Sequence, residues 1–249
     1  MAQLIKSDAI ILHSIRWQES SKIITVYSRE WGKIGLIARG ALRPKSTLAG
    51  LTESLNYVHC VVSNKAERNL QILTSIDVID SFNHLRLEIT RLPYALAIIE
   101  LLNQVIEEHE SNPVFFDFTI EMIQNIGKAK SPQIVFWYFL LKLSSFLGFR
   151  PQLQKCHVCE NERLTKSIQF NLHLGTIYCQ DCYANSAGGM KLTDSTWQFL
   201  RQLQTYPHKR ILDLAENSGS KLNLTPMLIQ YLNIHLDKDI TAKSLQLLI

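Results

Sequence analysis

The sequence predicts an α+β fold in more than one domain: a small closed β-barrel at the N-terminus, followed by helices interrupted by a four-cysteine zinc ribbon. Three observations carry that expectation. Residues 4–80 hold five short runs rich in Ile, Val, Thr and Tyr, whereas beyond Ser81 the apolar residues recur at helical spacing. Near the middle of the 249-residue chain, Cys156-His157-Val158-Cys159 is followed after about twenty residues by Cys179-Gln180-Asp181-Cys182.

The five runs are Leu4–Ser14, Ile23–Ser28, Ile34–Arg39, Leu55–Ser63 and Leu70–Ile79, with turn-prone Gly32, Gly40 and Ser63-Asn64 between them. Five short strands in so few residues favour closure into a barrel, which leaves no exposed edge. The helical part opens with three similar starts. Asn112-Pro113, Ser131-Pro132 and Thr225-Pro226 each place a candidate capping side chain before a proline, whose missing N–H costs nothing in the first turn. After Ser131 the residues Ile134, Val135, Phe136, Trp137, Phe139, Leu140 and Leu143 are apolar on nearly every side, so this helix belongs at a buried centre, with Gly148 as its stop. The expected domains are 1–80 (barrel), 81–150 (helical, first part), 151–190 (ribbon) and 191–249 (helical, last part).

Each C-x2-C turn lets two thiolates reach one ion. Cys156, Cys159, Cys179 and Cys182 together complete a tetrahedron with no position left for water or substrate, so one zinc ion held there is structural. Folding without metal and a redox pair are the alternatives. The chain has no continuous apolar stretch at its start and no run long enough to span a bilayer, so the expected location is the cytoplasm. In that reducing compartment paired cysteines favour metal over disulfides, and Cys60 reads as an inert buried thiol.

The net charge of +4 decides little, but its distribution is informative. Between Glu30 and Glu53 lie Lys33, Arg39, Arg43 and Lys45 with no acidic residue. Between Arg91 and Lys128 lie Glu100, Glu107, Glu108, Glu110, Asp117 and Glu121 with no Lys or Arg. A polyanion partner for the first module accounts for this asymmetry, although edge strands also carry cations against aggregation. Candidate phosphate contacts are Arg16, Lys22, Lys33, Arg39, Arg43 and Lys45. Trp17 and Trp31 are candidate stacking platforms, and Tyr27 is a weaker one because a strand tyrosine is more often core. Enzyme motifs are missing. No G-x-x-x-x-G-K-[ST] or G-x-G-x-x-G occurs, Pro113 stands where a metalloprotease helix beginning His109-Glu110 needs its second histidine, and Lys155 precedes Cys156 where a zinc deaminase needs proline. The expected class is a non-enzyme; a protein–protein zinc-ribbon adaptor with weak nucleic-acid contact is the alternative.

One local sequence is more specific. Trp17-Gln18-Glu19-Ser20-Ser21, a hydrophobic strand, the Gly32 turn, Ala38-Arg39-Gly40-Ala41 and Arg43-Pro44-Lys45-Ser46 together resemble the opening of the RecO family of bacterial DNA repair proteins. The resemblance continues through Leu48-Ala49-Gly50-Leu51, Leu92-Pro93-Tyr94-Ala95, Asn112-Pro113, Leu147-Gly148-Phe149-Arg150-Pro151, the cysteine pairs and Tyr231-Leu232-Asn233-Ile234-His235-Leu236. It implies an oligonucleotide-binding (OB) fold for the barrel, binding of single- and double-stranded DNA, and annealing of complementary strands. It also implies cooperation with RecR in loading RecA onto strands covered by single-stranded DNA-binding protein, in the bacterial nucleoid. Lys128, Lys130, Lys142 and Arg150 are candidate flanks for docking the acidic tail of that last protein.

Overall fold

The computed structural model of the chain describes residues 3–164, 167–183, 189–217 and 222–248, so residues 165–166 and 184–188 of the expected ribbon lie outside the described residues. Packing divides the chain into two units, Met1–Gly127 with Thr241–Ile249, and Lys128–Ile240. The division does not fall at the expected boundary near residue 80, because the first helices pack on the strands that precede them.

In the first unit β1 (Gln3–Trp17), β2 (Ser21–Ser28), β3 (Gly32–Ala38), β4 (Tyr57–Asn64) and β5 (Leu70–Asp80) lie close to the predicted runs. They form a closed barrel in the order β1-β2-β3-β5-β4, with β1 pairing β4 and the β3–β5 pair parallel. Ala9, Ile11, Ile24, Val26, Ile34, Leu36, Val58, Cys60 and Val62 fill its interior. Cys60 is inert as expected: burial pushes its thiol up to about 12. The alternation expected of a strand breaks once in β1, where a bulge lies between Ile11 and His13. One extra residue shifts the phase, so that His13, Ile15 and Trp17 turn outward while Ala9 and Ile11 point inward. Ile15 and Trp17 are 45% and 44% exposed as a result.

A short helix, α1 (Leu48–Leu51), packs Leu48 and Leu51 on the interior cluster. After α2 (Asn83–Arg86) come α3 (Leu92–Val105) and α4 (Pro113–Lys128), and these cover part of the outer face of β2 and β3. Tyr27 is buried with its ring 5.6 Å from that of Phe116, and the segment 107–110 lies along β3, with the His109 N–H donating to the Lys33 carbonyl at 3.0 Å. Gly32 is required by this packing. Its φ is +69°, and a Cβ there would stand 2.3 Å from the Glu110 carbonyl oxygen. Gly32→Ala is therefore expected to lower stability by at least the roughly 1–2 kcal/mol of left-handed backbone strain, read as a drop in melting temperature.

The second unit is built on α5 (Pro132–Phe146), in which residues 134–141 are buried without interruption, as its sequence requires. Gly148 follows the helix with φ +92°, the left-handed stop expected of it. The strands β6 (Gln152–Cys156), β7 (Ile168–Asn171), β8 (Thr176–Tyr178) and β9 (Met190–Leu192) form one sheet in the order β6-β8-β7-β9, with α6 (Gln180–Tyr183) after β8. Then come α7 (Asp194–Thr205), α8 (Ile211–Asn217) and α9 (Thr225–Leu236). The sheet is tied to α7 by the Trp197 indole N–H, which donates to the Leu153 carbonyl at 2.8 Å, and by the Gln204 amide, which donates to the Pro151 carbonyl at 2.7 Å.

Of the three predicted capped starts, only Asn112 caps with its side chain, accepting from the Phe115 N–H at 2.9 Å. Ser131 precedes α5 without a side-chain cap. Thr225 is already inside α9, and its hydroxyl instead accepts from the Trp137 indole at 2.9 Å. A buried indole donor needs a partner more than an exposed first turn does, since water serves the latter. Among the described residues, no helix is long and apolar enough to cross a membrane.

Candidate nucleic-acid interface and metal cluster

The β1–β2 turn, the end of β3 and the segment leading to α1 meet at one end of the barrel. The Leu42 N–H donates to the Ser20 carbonyl at 2.9 Å, joining the two loops, and the Arg43 N–H donates to the Gly40 carbonyl at 3.1 Å, closing a turn. Gly40 has φ +72°, and the Arg43 side chain lies over it, 3.4 Å from where a Cβ would stand. These bonds form a cleft of about 330 Å3 lined by Trp17, Ser20, Ile37, Arg39 and Arg43. Trp17 and the neighbouring pair Arg39 and Arg43, from separate loops, thus converge on an aromatic and apolar floor with a cationic rim. Among the described residues, the side chains of Arg16, Arg39, Arg43 and Lys45 form no hydrogen bond or ion pair, so their charge is free for a ligand.

The other candidates are placed differently. Lys22, expected to contact phosphate, is buried at the end of the barrel, where it donates to the Ala49 carbonyl at 3.0 Å and pairs with Glu53 at 2.7 Å. Lys33 is half-buried and donates to the Asn103 carbonyl at 3.1 Å. Both charges are spent on attaching helices to the barrel, α1 and α3 respectively, so neither is free for DNA. Tyr27 is covered by Phe116, so its ring is not a platform. Arg16 pairs across the strands with Lys22 and so emerges on the opposite face from its neighbour Trp17. Lys45 is exposed in the loop before α1 with φ +66°. Trp31 is partly buried at the far end of the barrel. Two cations outside the candidate set, Lys65 and Arg68, stand in the β4–β5 turn. In Lys65-Ala66-Glu67-Arg68 an acidic residue sits between the two cations, so the segment does not read as a basic run.

In the second unit Lys128, Lys130 and Arg150 are exposed. Lys142 is not a free flank. It donates to the Gln204 carbonyl at 3.1 Å and lies 5.0 Å from the Tyr138 ring centroid, and burial, then the nearby Arg150, lower its pKa.

The four cysteines come together as their spacing requires. Cys156 ends β6, Cys159 lies in the turn after it, Cys179 follows β8 and Cys182 is in α6, and the four Sγ atoms all lie within 4.8 Å of one another. The parallel β6–β8 pairing, with Cys156 opposite Ile177, sets the two knuckles side by side. The Cys179 N–H donates to Cys156 Sγ at 3.4 Å. Burial opposes ionisation of Cys156, yet hydrogen bonds from the backbone N–H groups of Cys159, Cys179 and Val158 outweigh it and bring the thiol down to about 6. Cys182 is pushed up to about 12, first by its hydrogen bond with Cys179. One thiolate is thus ready near neutral pH, and a cation would draw the remaining protons off. Four soft donors at mutual contact fit a tetrahedral metal ion and leave no room for a further ligand.

The family profile described as Recombination protein O N terminal matches residues 1–82, and the one described as Recombination protein O C terminal matches residues 86–244. DNA repair protein RecO of Halalkalibacterium halodurans is 27% identical over 226 residues, covering 91% of this chain and 87% of that protein. DNA repair protein RecO of Listeria monocytogenes is 30% identical over 196 residues, with coverage of 79% and 75%. DNA repair protein RecO of Pelotomaculum thermopropionicum is 28% identical over 240 residues, with coverage of 96% and 92%. Two adjoining profile matches and relatives spanning both units lead to one conclusion: the chain belongs to the RecO family.

Proposed function

We propose that this chain is a non-enzymatic mediator of DNA repair and recombination, which binds single- and double-stranded DNA and anneals complementary strands. With RecR it helps load RecA onto strands covered by single-stranded DNA-binding protein. The observation that carries the DNA-binding part is the convergence of Trp17, Ile37, Arg39 and Arg43 on one cleft, with both guanidinium groups unpaired among the described residues. The strand order β1-β2-β3-β5-β4 with closure supports an OB barrel, whose β2–β3 face and β1–β2 loop take oligonucleotides. Family membership supports the remaining steps and the partners.

Annealing requires no bond chemistry. Two phosphate backbones repel until cations replace their condensed counterions, and a rim of free guanidinium groups does this on whichever strand it meets. The cleft offers no base-reading helix, so binding tolerates any sequence. Zinc is the ion we assign to the cysteine cluster. Thiolates about 2.3 Å from a tetrahedral ion lie about 3.8 Å apart, and Cys159 and Cys179 are separated by 3.8 Å. When bound, the ion supplies a folding constraint, while the four thiolates hold the knuckles together. The exposed Lys128, Lys130 and Arg150 are the cations we assign to the acidic tail of single-stranded DNA-binding protein.

A strand-annealing assay without ATP tests the central claim. Complementary labelled oligonucleotides should pair faster with the protein than alone, and the acceleration should fade as salt rises. Pairing at the protein-free rate at low salt would refute it.

A further inference from the structure

We propose that the open end of the barrel is a second subsite, which takes one unpaired nucleotide of the same DNA strand and lengthens the bound track. This rests on the DNA-binding reading above. Helix α1 plugs one end of the barrel, with Leu48 and Leu51 on the core, whereas at the opposite end the interior is covered by Ile5 and by Trp31, which is partly buried. Beside it is a cleft of about 280 Å3 lined by Trp31, Ile34, Asn64, Arg68 and His109, with no carboxylate among its lining residues.

The chemistry is that of a nucleotide site. An indole face stacks a base, a guanidinium meets its phosphate, and the amide of Asn64 and the imidazole of His109 offer donors and acceptors to a base edge. Among the described residues the Arg68 side chain has no hydrogen bond or ion pair. Its backbone is nonetheless fixed. Buried Gln71 accepts from the Lys65 N–H at 2.9 Å and donates to the Lys65 and Arg68 carbonyls at 3.0 and 2.7 Å. A cation carried on a braced turn, with no ion pair among the described residues, is available to an anion. On the other wall, His109 adopts φ +62°, rare for a residue with a side chain, and its N–H donates to the Lys33 carbonyl at 3.0 Å.

The two clefts stand at opposite ends of β2. Trp17 pairs with Ser21 and Gly32 with Ser28, so the clefts are separated by the length of that strand, about 23 Å. Between them the outward residues of β2, β3 and β5 include the uncharged Ile23, Ile37 and Ile72, and Lys33, whose ammonium is spent on the Asn103 carbonyl where the helices cover Tyr27. A strand anchored at Arg39 and Arg43 that follows β5, past the helix-covered end of β2, meets a further free cation at Arg68. Stacking on Trp31 needs an unpaired base, so the subsite selects single strands.

Titrating the full-length protein with labelled oligothymidines of about 4 and about 16 nucleotides, the limits of OB-fold site sizes, tests this. Trp31→Ala and Arg68→Glu should reduce affinity for the longer strand roughly 10-fold, within the range of one stacked base, and change the shorter by less than about twofold. Trp31 touches the core, so Arg68→Glu, which does not, guards against a folding defect. The proposal is overturned if Arg68→Glu binds the longer strand like wild type, or if both lengths weaken equally. Tight binding of thymidine monophosphate, lost in Trp31→Ala, would make this a free-nucleotide site and also overturn it. Failure of the wild-type protein to bind either oligonucleotide would instead refute the DNA-binding reading itself.

Discussion

Cys156→Ser is expected to unfold the β6–β9 sheet and to abolish stoichiometric metal binding. A structural tetrathiolate site contributes on the order of 10 kcal/mol, comparable to the whole stability of a domain. Its strands are three to five residues long, and the described bonds that tie it to α7 are those of Trp197, Arg201 and Gln204. Serine removes one thiolate, and its shorter hydroxyl takes the place of the sulfur that accepts from the Cys179 N–H. Metal analysis of the purified protein together with thermal melts checks this, and chelation of the wild type should reproduce the variant. A wild-type protein free of zinc, with a serine variant that melts at the same temperature, would end the structural-metal assignment. The pH dependence has a definite sign. An ordinary cysteine titrates near 9 and Cys156 near 6 in the folded chain, so its thiolate favours the folded state in full above pH 9. That contribution is lost as the pH falls to about 6. Acidification should therefore release metal and loosen this unit.

Arg39→Glu with Arg43→Glu is expected to lower single-stranded DNA affinity by at least tenfold at low salt and to flatten its salt dependence. Each guanidinium withdrawn from a phosphate reduces the slope of log affinity against log salt by about 0.7 for single strands, so withdrawing both amounts to about 1.4. Charge reversal adds repulsion at low ionic strength. Because neither side chain has an intramolecular partner among the described residues, the melting temperature should not move with the affinity. Titrations at several salt concentrations separate this from the effect of stacking, since Trp17→Ala should weaken binding about 5- to 150-fold with the slope unchanged. An unchanged slope in the double variant would exclude this cleft as the phosphate site.

The cysteine cluster was legible because its geometry is local. C-x2-C fixes two sulfurs within one turn, and a hairpin of about twenty residues can only return the second pair beside the first. Strand positions and the buried α5 were legible for the same reason, since period and turn residues are short-range signals. The basic face was legible only as a set. Arg39 and Arg43 are free and Lys22 and Lys33 are not, yet nothing within a few residues of any of them distinguishes the two pairs.

What the sequence alone determined about this protein is therefore its family, its element types and its four-cysteine cluster, all of which depend on neighbours along the chain. The tertiary structure decided which charges remain unpaired among the described residues, which face Trp17 presents, and where the helices divide between units. Those outcomes depend on distant partners: Glu53 and the Ala49 carbonyl for Lys22, Asn103 for Lys33, and one extra residue in β1 that reverses the phase of every side chain after it. A charge is free or spent according to what the fold brings against it, and that is set by strand register and helix packing, not by local sequence.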